Sequence, residues 1–307
     1  MPAMTSTAHT RPAAGDSPAV SPTGRVPIAF FIITKDEERN LPFSLASVAG
    51  WAREVFVLDS GSTDRTREVA EAFGARFHHR PWDGYVRQKN WGIQHLPITA
   101  PWVFILDADE SVTPELRVEL TRLATEDAVP ENGFYVNRYF IFLGRRIRHC
   151  GFFPSWNIRL FRHGKALYEQ RDVHEHMLVD GPVGYLRQPM EHYDRRGLED
   201  YIRKHNRYST LEAREMFRYM TGHRDAADRR KHGGANGRRR WIKHHVWPRL
   251  PARWLVRFVY MYVLRAGFLD GAVGFKFCLF MAGYEHQISL KLHDLRRAAS
   301  TAGPLPA

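Results

Sequence analysis

Three short segments of the chain end in clustered carboxylates: Thr34-Lys35-Asp36-Glu37-Glu38, Asp59-Ser60-Gly61-Ser62-Thr63-Asp64 and Asp107-Ala108-Asp109-Glu110. Acids at such positions cannot hold a phosphate directly, because like charges repel. A divalent cation resolves the conflict. Mg²⁺ or Mn²⁺ takes one or two carboxylates and leaves its other positions to phosphate oxygens. Residues at i and i+2 of an extended segment point alike, so Asp107 and Asp109 are expected to reach one metal, or its phosphate-bearing ligand, together. Such a metal stabilises the negative charge gathering on a diphosphate leaving group. Asp59 would then be free to hydrogen-bond a ribose or base. The Gly-rich phosphate loops of dinucleotide-binding and P-loop proteins do not occur in the sequence.

Each cluster follows a run that reads as a buried strand. Ile28-Ala29-Phe30-Phe31-Ile32-Ile33 is apolar throughout, as strands covered on both faces of a parallel sheet are. Val55 to Leu58, Ala75 to His78 and Trp102 to Leu106 read as three more strands. Helices are expected from Leu41 to Ala49, stopped by Gly50, and from the N-cap oxygens of Ser62-Thr63-Asp64 to about Phe73, ended by Gly74. Alternation of this kind predicts an open, mostly parallel α/β sheet. Ligands of such sheets bind outside the carboxyl ends of the strands, so the three acidic clusters should share one rim. From Phe134 to Tyr193 short strands and loops follow, and Leu198 to Met220 is a long helical candidate.

The motifs Phe31-Ile32-Ile33-Thr34-Lys35-Asp36-Glu37-Glu38, Asp59-Ser60-Gly61-Ser62-Thr63-Asp64 and Leu106-Asp107-Ala108-Asp109-Glu110 resemble glycosyltransferase family 2. The resemblance continues through Arg80-Pro81-Trp82-Asp83-Gly84-Tyr85, Gln88-Lys89-Asn90, Val173-His174-Glu175, His192-Tyr193, Lys204 to Ser209 and Gly267 to Gly271, covering roughly residues 26–290. These later motifs are similar to the branch that glucosylates inner-core heptose in lipopolysaccharide biosynthesis. The resemblance implies a GT-A fold and inverting transfer from a nucleotide-diphospho-sugar, with a UDP-sugar as donor. It places the donor on Glu37, Glu38, Asp59, Asp64 and Asp107, with Lys89 near the diphosphate, and makes Asp109 the metal ligand. An exposed helical lysine is the plain alternative for Lys89. Arg65 stands where the family usually has glycine.

An inverting transfer needs a general base on the acceptor hydroxyl. The family's pattern points to Glu175, with Asp172 and Asp194 as rivals. His174 and His176 form a His-x-His that could pair on a metal, although a positioning role for His174 and solvent for His176 are preferred. His192 completes the metal shell, touches phosphate or is structural. Arg159, in the strand expected from Trp156 to Phe161, would meet an anionic group on the acceptor side.

The chain has 307 residues, is 44% apolar and carries a net charge of +12. That composition excludes disordered, collagenous and coiled-coil classes. The charge is divided unevenly: residues 1–200 hold 24 Lys/Arg against 26 Asp/Glu, and residues 201–300 hold 21 against 7. A basic, aromatic C-terminal third admits nucleic acid or an anionic membrane as partner. No nucleic-acid module is present, so nucleic acid is not expected. Its apolar runs fall short of the ~20 residues a span needs. Helices lying in the interface, with Lys and Arg at the headgroups, are expected instead, ahead of plain core helices or a shallow hairpin. Cys150 and Cys278 form no disulfide framework, which suits a reduced compartment. Residues 1–25 read as a disordered tail with no targeting signal, residues 26–200 as the catalytic domain and residues 201–307 as a basic, amphipathic helical region.

The expected protein is thus a metal-dependent transferase acting on a glycolipid at the cytoplasmic face of a bacterial membrane, with glucose transfer to a core heptose favoured. The same chemistry on a polyprenyl-phosphate or exopolysaccharide intermediate is the nearest alternative. A phosphatase using Asp107 and Asp109, and a non-catalytic membrane adaptor on a degenerate transferase fold, are further ones.

Overall fold

The computed structural model describes residues 24–126, 128–169, 176–221 and 246–301. Most of the expected N-terminal tail and the basic connection at 224–240 lie outside the described residues.

The N-terminal half alternates strands and helices: β1 (Val26–Thr34), α1 (Leu41–Ala46), β2 (Ala52–Asp59), α2 (Thr66–Ala72), β3 (Arg76–His79), α3 (Tyr85–His95), β4 (Trp102–Asp107), β5 (Glu110–Ser111) and α4 (Pro114–Thr125). Strands dominate next, as β6 (Gly133–Phe142), β7 (Arg145–Ile147), β8 (Trp156–Arg162), β9 (Ala166–Tyr168), β10 (Met177–Val179), β11 (Val183–Tyr185) and β12 (Met190–His192). Helices α5 (Leu198–Met220), α6 (Arg253–Val259) and α7 (Gly271–Thr301) complete the described chain. A π-helical turn at Tyr260–Leu264 and a 3₁₀ turn at Gly267–Asp270 join α6 to α7.

One large sheet runs in the order β3-β2-β1-β4-β8-β6-β12-β5, with β7 and β11 also paired to β6. The strands β3, β2, β1 and β4 are mutually parallel, as alternation with helices demands. Beyond β4 the sheet is mixed, because β8 lies antiparallel to both β4 and β6. Helices cover both faces of the parallel half. Phe30 and Ile32 of β1 join Leu41, Leu45, Leu116 and Leu120 on one side. Ala29 and Phe31 join Val86 and Ile93 of α3 on the other. Successive strand residues point to opposite faces, so a doubly covered strand must be apolar at every position.

Both helix-stop glycines act as expected, while Arg65 and not the expected Ser62-Thr63-Asp64 run takes the N-cap position of α2. Gly50 and Gly74 adopt positive φ after α1 and α2. Helix α4 is capped by Thr113, whose side chain accepts from the Leu116 amide at 3.2 Å, and it opens with Pro114.

The C-terminal helices pack onto the sheet. Phe277, Cys278 and Met281 of α7 pack among Phe142, Ile147 and Cys150. Farther along, Ile288 and Leu292 meet Ala213 and Met216 of α5. The Asp270 carboxylate accepts from the amides of Arg148 (3.2 Å) and His149 (2.9 Å), tying the turn before α7 to the loop after β7. Cys150 and Cys278 are free, buried and 3.5 Å apart. Among the described residues no helix is long and apolar enough to cross a membrane.

Candidate active site

Register brings the acids together. Thr34 of β1 lies beside Asp59 of β2, and Ile33 lies beside Asp107 of β4. The ends of β1, β2 and β4 therefore form one rim, and the loops that follow are stitched to each other. The Asp36 amide donates to Ser62 Oγ at 2.7 Å, and the Thr63 amide donates to Asp36 Oδ1 at 2.8 Å. The Glu37 amide donates to Thr66 Oγ1 at 2.8 Å, and the Glu38 amide to Asp64 Oδ2 at 3.0 Å. The Glu38 carboxylate in turn accepts from the Arg65 amide at 3.2 Å. Arg65 is thus the N-cap of α2 and part of this stitching, where glycine is usual in the family.

Asp59 departs from its expected freedom. It is buried, and its Oδ1 accepts from the hydroxyls of Thr34 and Ser62. Its Oδ2 accepts from the amides of Gly61 (2.8 Å) and Ser62 (2.7 Å). A carboxylate offers about four lone-pair sites, and four donors already use them. In this structure Asp59 shapes the loop. Asp64 does likewise, accepting from the amides of Glu38 and Thr66, each at 3.0 Å.

Asp107 and Asp109 engage different partners. Strand β4 ends at Asp107, and a turn at Ala108-Asp109 replaces the expected extended segment. Asp107 Oδ2 lies 2.7 Å from Arg159 Nη2, and Oδ1 lies 3.4 Å from Lys89 Nζ. Burial opposes its charge, yet Arg159 and Lys89 hold its carboxyl well below the usual range. Asp109 Oδ2 instead pairs with His192 Nε2 at 3.1 Å. Burial disfavours both charges of that pair, but each partner overcomes it: the Asp109 pKa is lowered and the His192 pKa is raised. Among the described residues no three His, Cys, Asp or Glu side chains converge as a metal-ligand group. Mg²⁺ and Mn²⁺ do not need three, since substrate phosphates complete their shells. The Asp109 carboxylate fits that donor chemistry better than Asp107, which already faces two cations; His192 would join it only by giving up its proton.

The Gln88-Lys89-Asn90 run shows how a helix distributes three consecutive side chains. Gln88 is buried and donates to Ser60 Oγ at 3.1 Å, bracing the β2 loop. Asn90 exchanges two 2.8 Å hydrogen bonds with the Tyr168 backbone. Lys89 is not on the surface: it is 4% exposed, at the Asp107 carboxylate and over the Tyr168 ring. Helix α3 comes this close because Gly92 lies against Phe31, where a Cβ would be 2.2 Å from Cζ.

A second cluster closes the rim from the β12 side. Burial pushes the Glu37 carboxyl up to about 7, against the nearby Arg196 guanidinium and the Asn40 amide. Arg196 forks onto Asp194 at 2.6 and 2.9 Å. Although burial opposes it, this fork holds Asp194 far below the usual carboxylate range, which makes Asp194 a weak base. Asn40, wholly buried, donates to Glu37 and Asp194 and accepts from the Arg195 amide. Sequence reading did not single out Glu110, Asn40, Arg138 or Arg196. Glu110 and Asn40 sat inside or beside quoted motifs, but nothing in their spacing reveals that they are buried. Asp172, His174 and Glu175 lie outside the described residues, so the general base and the His-x-His pair have no described geometry; His176 is described and exposed.

The family model for glycosyl transferase family 2 matches residues 29–194, more than half of the chain. A Rhizobium meliloti lipopolysaccharide core biosynthesis glycosyltransferase, LpsC, is 33% identical over 62% of this chain and 71% of its own length. An uncharacterised glycosyltransferase of Rickettsia bellii is 28% identical over 62% of this chain and 68% of its own. Among solved structures, a Pyrobaculum calidifontis mannosyltransferase in complex with GDP-Man and Mn²⁺ is similar at 15% identity, with a TM-score of 0.48 over 89% of each chain.

Proposed function

The chain belongs to glycosyl transferase family 2, and from that membership we propose an inverting, divalent-metal-dependent transfer of a sugar from a nucleotide-diphospho-sugar to a glycolipid. It is a glycosyltransferase of GT-A fold. The favoured instance is glucose from a UDP-sugar to a heptose of the lipopolysaccharide inner core; the similarity to the Rhizobium protein supports only the lipopolysaccharide core as its setting.

The observation that carries this reading is the shared rim at Thr34, Asp59 and Asp107, with Asp109 and His192 beside it. The stitched loops after β1 and β2 would receive the nucleotide, through Glu37, Glu38 and the loop that Asp59 and Asp64 shape. Lys89 and Arg159 hold Asp107 ionised at the centre. Asp109 and His192 would hold the ion, which when bound neutralises the diphosphate as it leaves. In the displacement the acceptor oxygen bonds to the anomeric carbon while the bond from that carbon to the diphosphate oxygen breaks. Glu175 would take the acceptor hydroxyl's proton; its sequence neighbour His176 lines the cavity next to Asp107.

A glycolipid acceptor would put the enzyme at a membrane surface, and the proposed site of action is peripheral, at the inner face of the bacterial membrane. Leu255, Val263, Leu264, Phe268 and Leu269 are exposed around α6 and the turns before α7, in the strongly basic third of the chain. Such a surface suits interfacial docking on anionic lipid.

Measuring UDP release from UDP-glucose with an inner-core acceptor tests the reading. Release should need Mn²⁺ or Mg²⁺ and be lost in Asp109→Ala, while Glu175→Gln should bind UDP yet fail to turn over. Metal-independent activity in Asp109→Ala would refute the metal role, and normal turnover in Glu175→Gln would refute the base.

A further inference from the structure

The sequence holds two cysteines, and the fold brings them together. Cys150 lies in the loop after β7 and Cys278 in α7, yet their sulfurs are 3.5 Å apart, and neither residue is more than 1% exposed. Both are free thiols. The surroundings are arranged around this contact. Gly267, in the 3₁₀ turn before α7, lies over both sulfurs: a Cβ there would be 2.8 Å from Cys278 Sγ and 2.9 Å from Cys150 Sγ. Any larger residue would wedge the pair apart. Cys150 itself takes a left-handed backbone conformation, with φ at 60°, which is unfavourable for a residue other than glycine. Such a conformation persists only where the surroundings over-determine it. Here the Cys150 amide donates to the Arg265 carbonyl at 3.0 Å, and its thiol donates to Asp270 Oδ2 at 3.6 Å.

The pair is not a ready nucleophile. Contact with the Cys278 thiol, burial and the Asp270 carboxylate all push the Cys150 thiol up, and buried thiols react slowly. What the site supplies instead is proximity. A thiol held in contact with an oxidised sulfur captures it before further oxidation. Bulky reagents have no way in, so the co-reactant must be small.

We infer that Cys150 and Cys278 form a dithiol latch, oxidised by hydrogen peroxide, that ties α7 to the sheet. One sulfur attacks the peroxide O–O bond, giving a sulfenic acid and water. The other sulfur then displaces that hydroxyl as a second water and forms the S–S bond. Two thiols and one peroxide become one disulfide and two waters; both sulfurs are oxidised and both peroxide oxygens reduced. Bonded sulfurs sit about 2.0 Å apart, so α7 and the loop need to approach by about 1.5 Å or less. The bond would span 128 positions of sequence and so restrict the unfolded chain. This chemistry is independent of sugar transfer.

Peptide mapping and thermal melting of the full chain, before and after hydrogen peroxide, make the test. With two cysteines in the chain, an intramolecular disulfide can join no other pair. Mapping should find Cys150 linked to Cys278, and the denatured oxidised protein should offer no thiol to alkylation. The melting temperature should rise by about 5 °C or more, and dithiothreitol should reverse both changes. Cys278→Ala should show neither, which separates the latch from methionine oxidation. Four results would each overturn it: sulfinic or sulfonic acid at either cysteine, a disulfide between two molecules, both thiols retained at peroxide levels that oxidise the urea-unfolded chain, or an unchanged melting temperature in the cross-linked protein.

Discussion

Arg159 Nη2 lies 2.6 Å from Glu110 Oε1, and neither side chain is more than 5% exposed. The same nitrogen reaches Asp107, so one guanidinium on β8 spans both ends of the turn that carries Asp109. An ion pair this deep is retained only if its geometry and extra hydrogen bonds offset desolvation, and removing one partner exposes the full penalty on the other.

Arg159→Met should therefore destabilise the protein by about 3–5 kcal/mol in urea unfolding. Adding Glu110→Gln to it should recover much of that loss, since the stranded carboxylate disappears. A single-variant loss below about 1 kcal/mol would mean that Arg138 alone suffices for Glu110.

Glu37 gives a pH signature. Its carboxyl, normally at 4.5, is pushed by burial up to about 7. Between those values the folded state holds a proton that the unfolded state has released, so stability is full below the lower value and falls as pH rises through the upper one. The total is at most about 3 kcal/mol. Glu37→Gln should flatten the melting temperature against pH across that window. Parallel profiles for the two proteins would assign the proton elsewhere.

Gly92→Ala should lift α3 from β1, because its Cβ would overlap the buried Phe31 ring. Overpacking of this kind costs about 1–3 kcal/mol. Pairing it with Phe31→Leu should restore part of the melting temperature; no recovery would show that the strain arises elsewhere.

On vesicles, the full chain should float with anionic lipid and less so as salt rises. Leu264 and Leu269, 72% and 61% exposed, carry the apolar part of this expectation. Replacing both with Glu should abolish flotation with little change in stability, as neither is buried. Equal flotation on neutral vesicles would remove anionic charge from the account.

Much of the parallel half was legible because its signals are local. A doubly covered strand such as Ile28 to Ile33 must be apolar throughout, and Gly50 and Gly74 mark helix ends. The mixed half was harder, since the short strands β11 and β12 draw their pairing from β6 and β5, far back in the chain. Eight of the basic residues and two of the acids in the C-terminal third fall in 222–245, outside the described residues, so much of the charge that suggested a membrane has no described placement.

The sequence by itself determined that carboxylates would follow three buried strands, and parallel register then obliged them to share a rim. It also carried the family, through motifs whose residues are neighbours in the chain. Only the tertiary structure decided what each acid does. Asp59 turned inward to Thr34 of the neighbouring strand and to the donors of its own loop, Asp107 met Arg159 and Lys89, and Asp109 met His192. It likewise set Cys150 beside Cys278 across 128 residues. The physical reason is common to all of them. A charge's partner is chosen by the cost of burying it unpaired, and that cost depends on residues far away in sequence, which no local spacing encodes.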